Sequence, residues 1–473
     1  MTQTIRKNLN DYSWARWTAM VLIAMMMLFA HMFVDVISPI KELIQVQRGW
    51  TSDIFGTYAG SEYLLNVWGF LILAGIILDK MGIRFTGLAS AIIMIVGAAI
   101  KFYAVSEAFI GTGLESWLNS WWTAFPASAK LASAGFMIFG CGCEMAGITA
   151  SKAMAKWFEG KEMALAMGLE MALTRVSVFL IFTISPRLAG IGGANESVVR
   201  PVAFCLALLC IGLLFYTIFC LMDKKLDAQR GATENADPEE EFKFSDIGKI
   251  FSSKLFWIVA MLCVLYYSAI FPFQKFAANM LQSTLGLDAT TAADIFRWFP
   301  IGAACVTPFL GWYLDNKGKG ATMLILGALL MIICHSIFAL VLPAFPSKVI
   351  AFSAIILLGV SFSLVPAALW PSIPKIMDKR FLGSAYSLIF WVQNFGLSFT
   401  PMLIGYVLEK TNPGVAEQIE AGVTGVAYNY TYPMLVFVGL GILALLFALY
   451  LKADDRRNNY HLEEPNIQNK AAQ

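Results

Sequence analysis

Charge is scarce in this chain. Only 14% of its 473 residues are Asp, Glu, Lys or Arg, against about 25% in a typical soluble domain. A water-solvated surface is therefore not what this composition builds. No GxxxxGK(S/T) phosphate loop occurs and no His/Cys/Asp cluster has metal-ligand spacing, which argues against an enzyme and against ATP bound here as the energy source. No long basic stretch or nucleic-acid motif is present. Cys141-Gly-Cys143 lacks the CxxC spacing of a redox or zinc site, and the eight cysteines read as small apolar fillers. The apolar run that begins at Trp17 is too long for a signal-peptide core, so it reads as a first spanning helix.

What is abundant is hydrophobicity, at 58% of residues. It falls in runs of roughly 20 residues, the length that crosses a bilayer as a helix. About twelve such runs can be read, at 17–40, 53–78, 84–104, 131–157, 162–188, 200–222, 255–280, 290–314, 321–344, 348–376, 381–408 and 431–452. The expected fold is an all-α membrane protein of twelve transmembrane helices in two pseudo-symmetric six-helix halves, 1–222 and 255–452. Residues 223–254 are rich in both charges and read as a solvated linker, its last part a short surface helix. The polar tail, 453–473, reads as disordered. Roughly two-thirds of the 34 Lys and Arg lie on the side shared by the termini and the linker, which makes that side cytoplasmic.

The halves repeat a motif. Gly75, Asp79, Lys80, Gly82 and Arg84 follow the second run; Gly311, Asp315 and Gly318 follow the eighth, with Gly, Asp and Gly at the same spacing. Such a turn lets an aspartate accept hydrogen bonds from a neighbouring helix N-terminus while glycines permit close packing. Holding one face together in one conformation and releasing it in the other is one role; aiding folding is another.

A hairpin from Cys141 to Arg175 holds two charges that a bilayer disfavours, Glu144 and Arg175. Both lie roughly 20 Å from the intervening turn at 1.5 Å per residue, which makes them level near the midplane. Intramembrane ionisable residues are candidate functional sites. The pair reads either as the two handles of a zwitterionic substrate, with arginine giving bidentate recognition of a carboxylate, or as a structural salt bridge.

The repeated turns resemble the loop signature of the major facilitator superfamily. Lys156 to Glu162, Gly168-Leu169, Ala172 to Arg175, Tyr266 to Phe273, Leu369-Trp370-Pro371, Leu382 to Tyr386 and Gln393 to Leu397 are similar to its lysosomal dipeptide transporter family. The resemblance implies twelve helices around a central cavity, Glu144 for a peptide amine and Arg175 for its carboxylate.

Other candidates follow from depth. His31 is level with the pair, and reads as substrate contact, proton carrier or plain packing. Gln393 and Asn394 could bond a peptide group, and Tyr266, Trp370 and Trp391 could wall the cavity. Asp35, Glu62 and Glu144 are candidates for proton coupling. Lys275 with Asp294 reads as an outer gate pair or interfacial ion pair, Arg297 as a second anion site, and Lys152 with Glu170 as a gate or structural pair. The leading expectation is an alternating-access carrier of dipeptides. Its rivals are a proton-coupled or exchange carrier of organic anions or amino acids, and a non-transporting sensor or assembly partner. Expected partners are a small-molecule substrate and the lipid bilayer, with no nucleic acid, metal or cofactor, and the chain reads as a monomer. A plasma or bacterial inner membrane is the expected location, with cytoplasmic termini.

Overall fold

A bilayer core offers the backbone no hydrogen-bond partners, so each crossing has to satisfy its own N–H and C=O groups. The apolar runs do so as helices, and no strand forms among the described residues. In the computed structural model, which describes residues 8–159, 161–230, 247–377 and 382–465, ten helices are long and apolar enough to cross a membrane.

One of these ten, Phe70–Val105, is two crossings. Gly82 inside it has φ 74° and ψ 172°, a conformation reserved for glycine. Before Gly82, Ser61 bonds to Ser133 and Asp79 pairs with Lys152. Beyond it, Ser90 abuts Gly142 and Gly97 abuts Gly135. Contacts with the fourth span thus climb in number and then descend, so the chain doubles back. Gly318, at the repeated position, also has a positive φ of 73°.

Two of the crossings are interrupted helices, and one of them, the eighth, adds to these eleven to complete twelve. The second span is Ser52–Ser61, Leu64–Val67 and the stretch from Phe70 to Gly82; the eighth is Ala289–Phe296 and Phe299–Lys317. From sequence both read as unbroken. Gly69, at φ 98°, sits at one break, and a proline opens the second piece of the eighth span, where its missing N–H is harmless.

The remaining spans are Ser13–Val34, Ala127–Trp157, Met163–Ala189, Val199–Arg230, Lys254–Leu285, Gly320–Ser336 continued to Ala344, Lys348–Ile376, Leu382–Thr411 and Thr431–Asn458. The first span is shorter than predicted, and a turn at Asp35 leads into Ser38–Ile40 and Lys41–Arg48. The sixth runs past its predicted end at 222, because Lys156 and Arg84 neutralise Asp223 and Asp227 there. Residues 231–246 of the predicted linker lie outside the described residues, and Ile247–Phe251 forms the short helix expected near its end.

The tail is a correction. Its first part is ordered: Lys319 and Gly320 donate backbone N–H groups to Glu463 and Leu462, and Thr322 donates twice to the Glu463 carboxylate. Leu462 is buried. The backbone groups freed by the turn at Gly318 are satisfied by this returning segment.

Candidate functional site

The hairpin turn is pinned from outside. Arg16 grips Glu162 with two nitrogens, at 3.1 and 3.0 Å, and this fork holds the Glu162 carboxyl below the usual carboxylate range. Lys161 pairs with Asp11 at 2.6 Å. From this anchored turn, Glu144 lies 13 residues back from the helix end at Trp157 and Arg175 lies 12 beyond the start at Met163. At 1.5 Å per residue both are about 18–20 Å deep. The two charges are level, as the sequence requires.

They do not pair. Among the described residues no hydrogen bond or ion pair engages either side chain, so the salt-bridge reading is not what this conformation contains. Glu144 is half-buried and lines a cavity of about 270 Å³ between the halves, with Leu71, Ile72, Gly147, Ile148 and Phe390 and the hydroxyls of Ser151 and Ser387. Arg175 reaches across to the other half. Its guanidinium lies 4.7 Å from the centroid of Phe362 and 5.7 Å from that of Phe271, on the tenth and seventh spans. Cation–π contact holds the guanidinium plane without consuming its N–H donors. His31 bonds to the Met27 carbonyl at 2.8 Å and lies within Coulombic reach of Arg175.

The other wall candidates divide. Trp370 stacks on Phe390, donates to the Tyr267 hydroxyl at 3.2 Å and accepts at its carbonyl from Tyr386 at 3.3 Å. That cluster adjoins the cavity through Phe390. Trp391 donates to the Val67 carbonyl at 2.9 Å, capping the broken second span from across the halves. Gln393 accepts from the Cys263 thiol at 3.0 Å, and Asn394 donates to Phe390 at 3.0 Å; both are buried, and neither lines the cavity around Glu144. Tyr266 is a correction. It is buried and donates to the Leu324 carbonyl, so it packs against the ninth span.

The predicted gate pairs are re-partnered. Lys275 does not meet Asp294. It sits between Asp35 at 3.1 Å and Glu62 at 3.3 Å and donates to the Val34 carbonyl at 3.0 Å. Asp294 instead holds Arg187 at 2.7 Å and Arg297 at 2.9 Å. Arg297 thus faces an acid through one terminal nitrogen, while its Nε is buried without a partner. Lys152 pairs with Asp79 at 2.6 Å and not with Glu170. Thus Asp79 meets a lysine where a helix N-terminus was expected. Gly75 lines the cavity, and nothing lies within 4 Å of where its Cβ would stand, or of that at Gly311; close packing explains neither. Lys80 is exposed, and Arg84 serves Asp223 and Asp227.

Polar contacts between the halves concentrate at the end away from the termini. Besides the Lys275 cluster and Arg187–Asp294, Lys41 bonds to Asn279, Gln45 to Tyr428 and Gln282 to Glu42. Gly60 and Gly405 bring the second and eleventh spans into backbone contact there. The Trp391–Val67 bond lies nearer the termini than these contacts. The halves are closed against each other at the end away from the termini, and the Glu144 cavity lies on the other side of that seal.

Lys101 is missing from the sequence-based set, although the rule that selects Glu144 also selects it. It is fully buried in the third span, 4.1 Å from the Phe33 ring and 4.5 Å from that of Phe136. Lys41, buried just past the first span, escaped in the same way; its position at the end of a predicted run was the available signal.

Comparison with known proteins agrees with this architecture. The Major Facilitator Superfamily model matches residues 23–401 and again 276–471. The zebrafish (Danio rerio) lysosomal dipeptide transporter MFSD1 is 28% identical over 348 residues, covering 71% of this chain and 68% of that protein. Its cattle (Bos taurus) counterpart is 24% identical over 381 residues, covering 78% and 74%. Among solved structures, a bacterial homologue of the human lysosomal transporter Spinster superposes with a TM-score of 0.69 at 14% identity, covering 96% of this chain and 99% of that one; this likeness shows the fold. The chain belongs to the major facilitator superfamily, and is a multi-pass membrane carrier and not an enzyme.

Proposed function

We propose that this superfamily member carries dipeptides, with Glu144 accepting hydrogen bonds from the peptide amine and Arg175 clamping the carboxylate. The observation that carries this reading is an acid and a base level with each other in mid-membrane, unpaired, one on a cavity and the other on an aromatic shelf. A zwitterion with charges at its two ends neutralises both, where desolvation would otherwise leave two lone charges. The similarity to proteins described as lysosomal dipeptide transporters supports the substrate class. A cavity sealed at the outer end is one conformer of an alternating-access cycle, in which separation of the outer contacts would admit substrate from the other side.

The rival carrier of organic anions loses support, because Lys275 and Arg297 already face acids. Proton coupling through Asp35 or Glu62 is disfavoured in this conformer for the same reason, which leaves Glu144 as the acid free to exchange a proton. The reading places both termini in the cytoplasm, on the distribution of Lys and Arg.

A thermal-shift screen of the purified protein against dipeptides, single amino acids and organic anions tests it. Dipeptides alone should stabilise. Arg175→Ala and Glu144→Gln should each weaken dipeptide binding by about 10- to 150-fold, the worth of a charge-assisted hydrogen bond at about 1.5–3 kcal/mol. Stabilisation by organic anions that survives Glu144→Gln would overturn the assignment.

A further inference from the structure

We propose that Gly147 sets the size limit on the side chain next to the ligand's amine, so that the amino-terminal residue of the substrate is apolar and of bounded volume. This rests on the dipeptide reading and adds a residue that determines its specificity.

The fourth span holds several glycines, and all but one are explained by packing. A Cβ on Gly140 would lie 1.8 Å from the Glu62 carbonyl oxygen, on Gly142 2.8 Å from that of Ser90, and on Gly135 2.6 Å from that of Gly97. These positions let helices touch backbone to backbone. Gly147 differs: a Cβ there would meet only the Met27 methyl carbon, at 3.8 Å, an ordinary van der Waals contact. Glycine weakens a helix interior relative to alanine, so packing gives no reason for it here.

Its position does. Gly147 is one helical turn from Glu144, on the same face, and both line the cavity. Gly75 faces the same space with nothing near its Cβ position. The other walls are Leu71, Ile72, Ile148 and Phe390, relieved by the hydroxyls of Ser151 and Ser387. Beyond Glu144 itself, no charged side chain lines the cavity among the described residues. A ligand whose amine bonds to Glu144 has its first side chain one carbon away, in a volume that missing side chains keep open. An apolar group loses water there at no electrostatic penalty, whereas a charged one would find no counter-charge except at Glu144.

The test uses two peptides of identical atoms and charges, Leu-Gly and Gly-Leu, titrated into the purified full-length protein by calorimetry. Gly147→Leu should weaken Leu-Gly by about tenfold or more and leave Gly-Leu within about threefold. Gly147→Ala should shift the ratio in the same direction by about threefold, and its small side chain has room, which keeps the question decidable if the leucine variant fails to fold. Equal loss for both peptides, or an unchanged ratio in Gly147→Ala, would overturn the inference alone. If the unmodified protein binds neither peptide, the dipeptide reading itself falls and this inference with it.

Discussion

Replacing Lys275 by methionine should open the outer end of the molecule. Lys275 belongs to the second half, and its two acid partners, Asp35 and Glu62, belong to the first. The three side chains are only 6%, 3% and 4% exposed, so solvent screening does little to discount the interaction. Methionine preserves much of the apolar stem and removes the cation, which leaves two carboxylates buried at the seam. Removing one partner of a buried pair destabilises by about 3–5 kcal/mol. That penalty falls on the conformer in which the outer ends touch, because separation lets water reach both acids. At about 1.4 kcal/mol per tenfold, the balance should move toward the outer-open form by at least about a hundredfold. Lys101 stays within Coulombic reach of Glu62 and Asp35 and tempers the imbalance, so the lower end of the range is expected. Spin labels at Leu114 and Val423, exposed on outer loops of the two halves, would report the separation by pulsed electron resonance. The distance distribution should lengthen in Lys275→Met and recover in part when Glu62→Gln is added, a non-additivity that identifies the coupled pair. An unchanged distribution in the single variant would refute the argument that this cluster holds the outer end shut.

Gly60→Ala should lengthen the same distance by a steric route, since its Cβ would lie 2.1 Å from the Ser398 carbonyl oxygen across the seam; a wild-type distribution would show that the spans can slide apart without opening. Asp223→Ala should lower thermal stability by about 3–5 kcal/mol, because that fully buried carboxylate faces Lys156 at 2.8 Å, the Trp157 indole at 3.0 Å and Arg84 at 3.7 Å. Asp227→Ala, whose side chain is 38% exposed, should change it by less than about 1 kcal/mol. Equal losses in the two variants, measured by thermal unfolding in detergent, would count against burial as the deciding factor.

The level placement of Glu144 and Arg175 was legible in the sequence because helical rise converts residue count directly into depth. The same arithmetic put Lys152 level with Glu170 and Lys275 level with Asp294, and there it misled. Two helices can carry charges at one depth and still point them at different neighbours. Lys152 turns to Asp79 on the second span, and Lys275 turns across the seam to Glu62, 213 residues away. Tyr266 shows the same gap: its span and depth were right, and its rotation toward Leu324 took it out of the cavity.

The sequence by itself determined the membrane class, the twelve crossings, the repeated turns and the depth of the central acid and base. These follow from apolar run length, from a glycine-dependent backbone and from a fixed rise per residue. Only the tertiary structure decided which charges meet, that the outer end is closed, and that Gly147 faces open space while Gly140 and Gly142 face backbone. Helix rotation and the identity of the neighbouring helix are set by packing among spans far apart in the chain, and no local pattern encodes them.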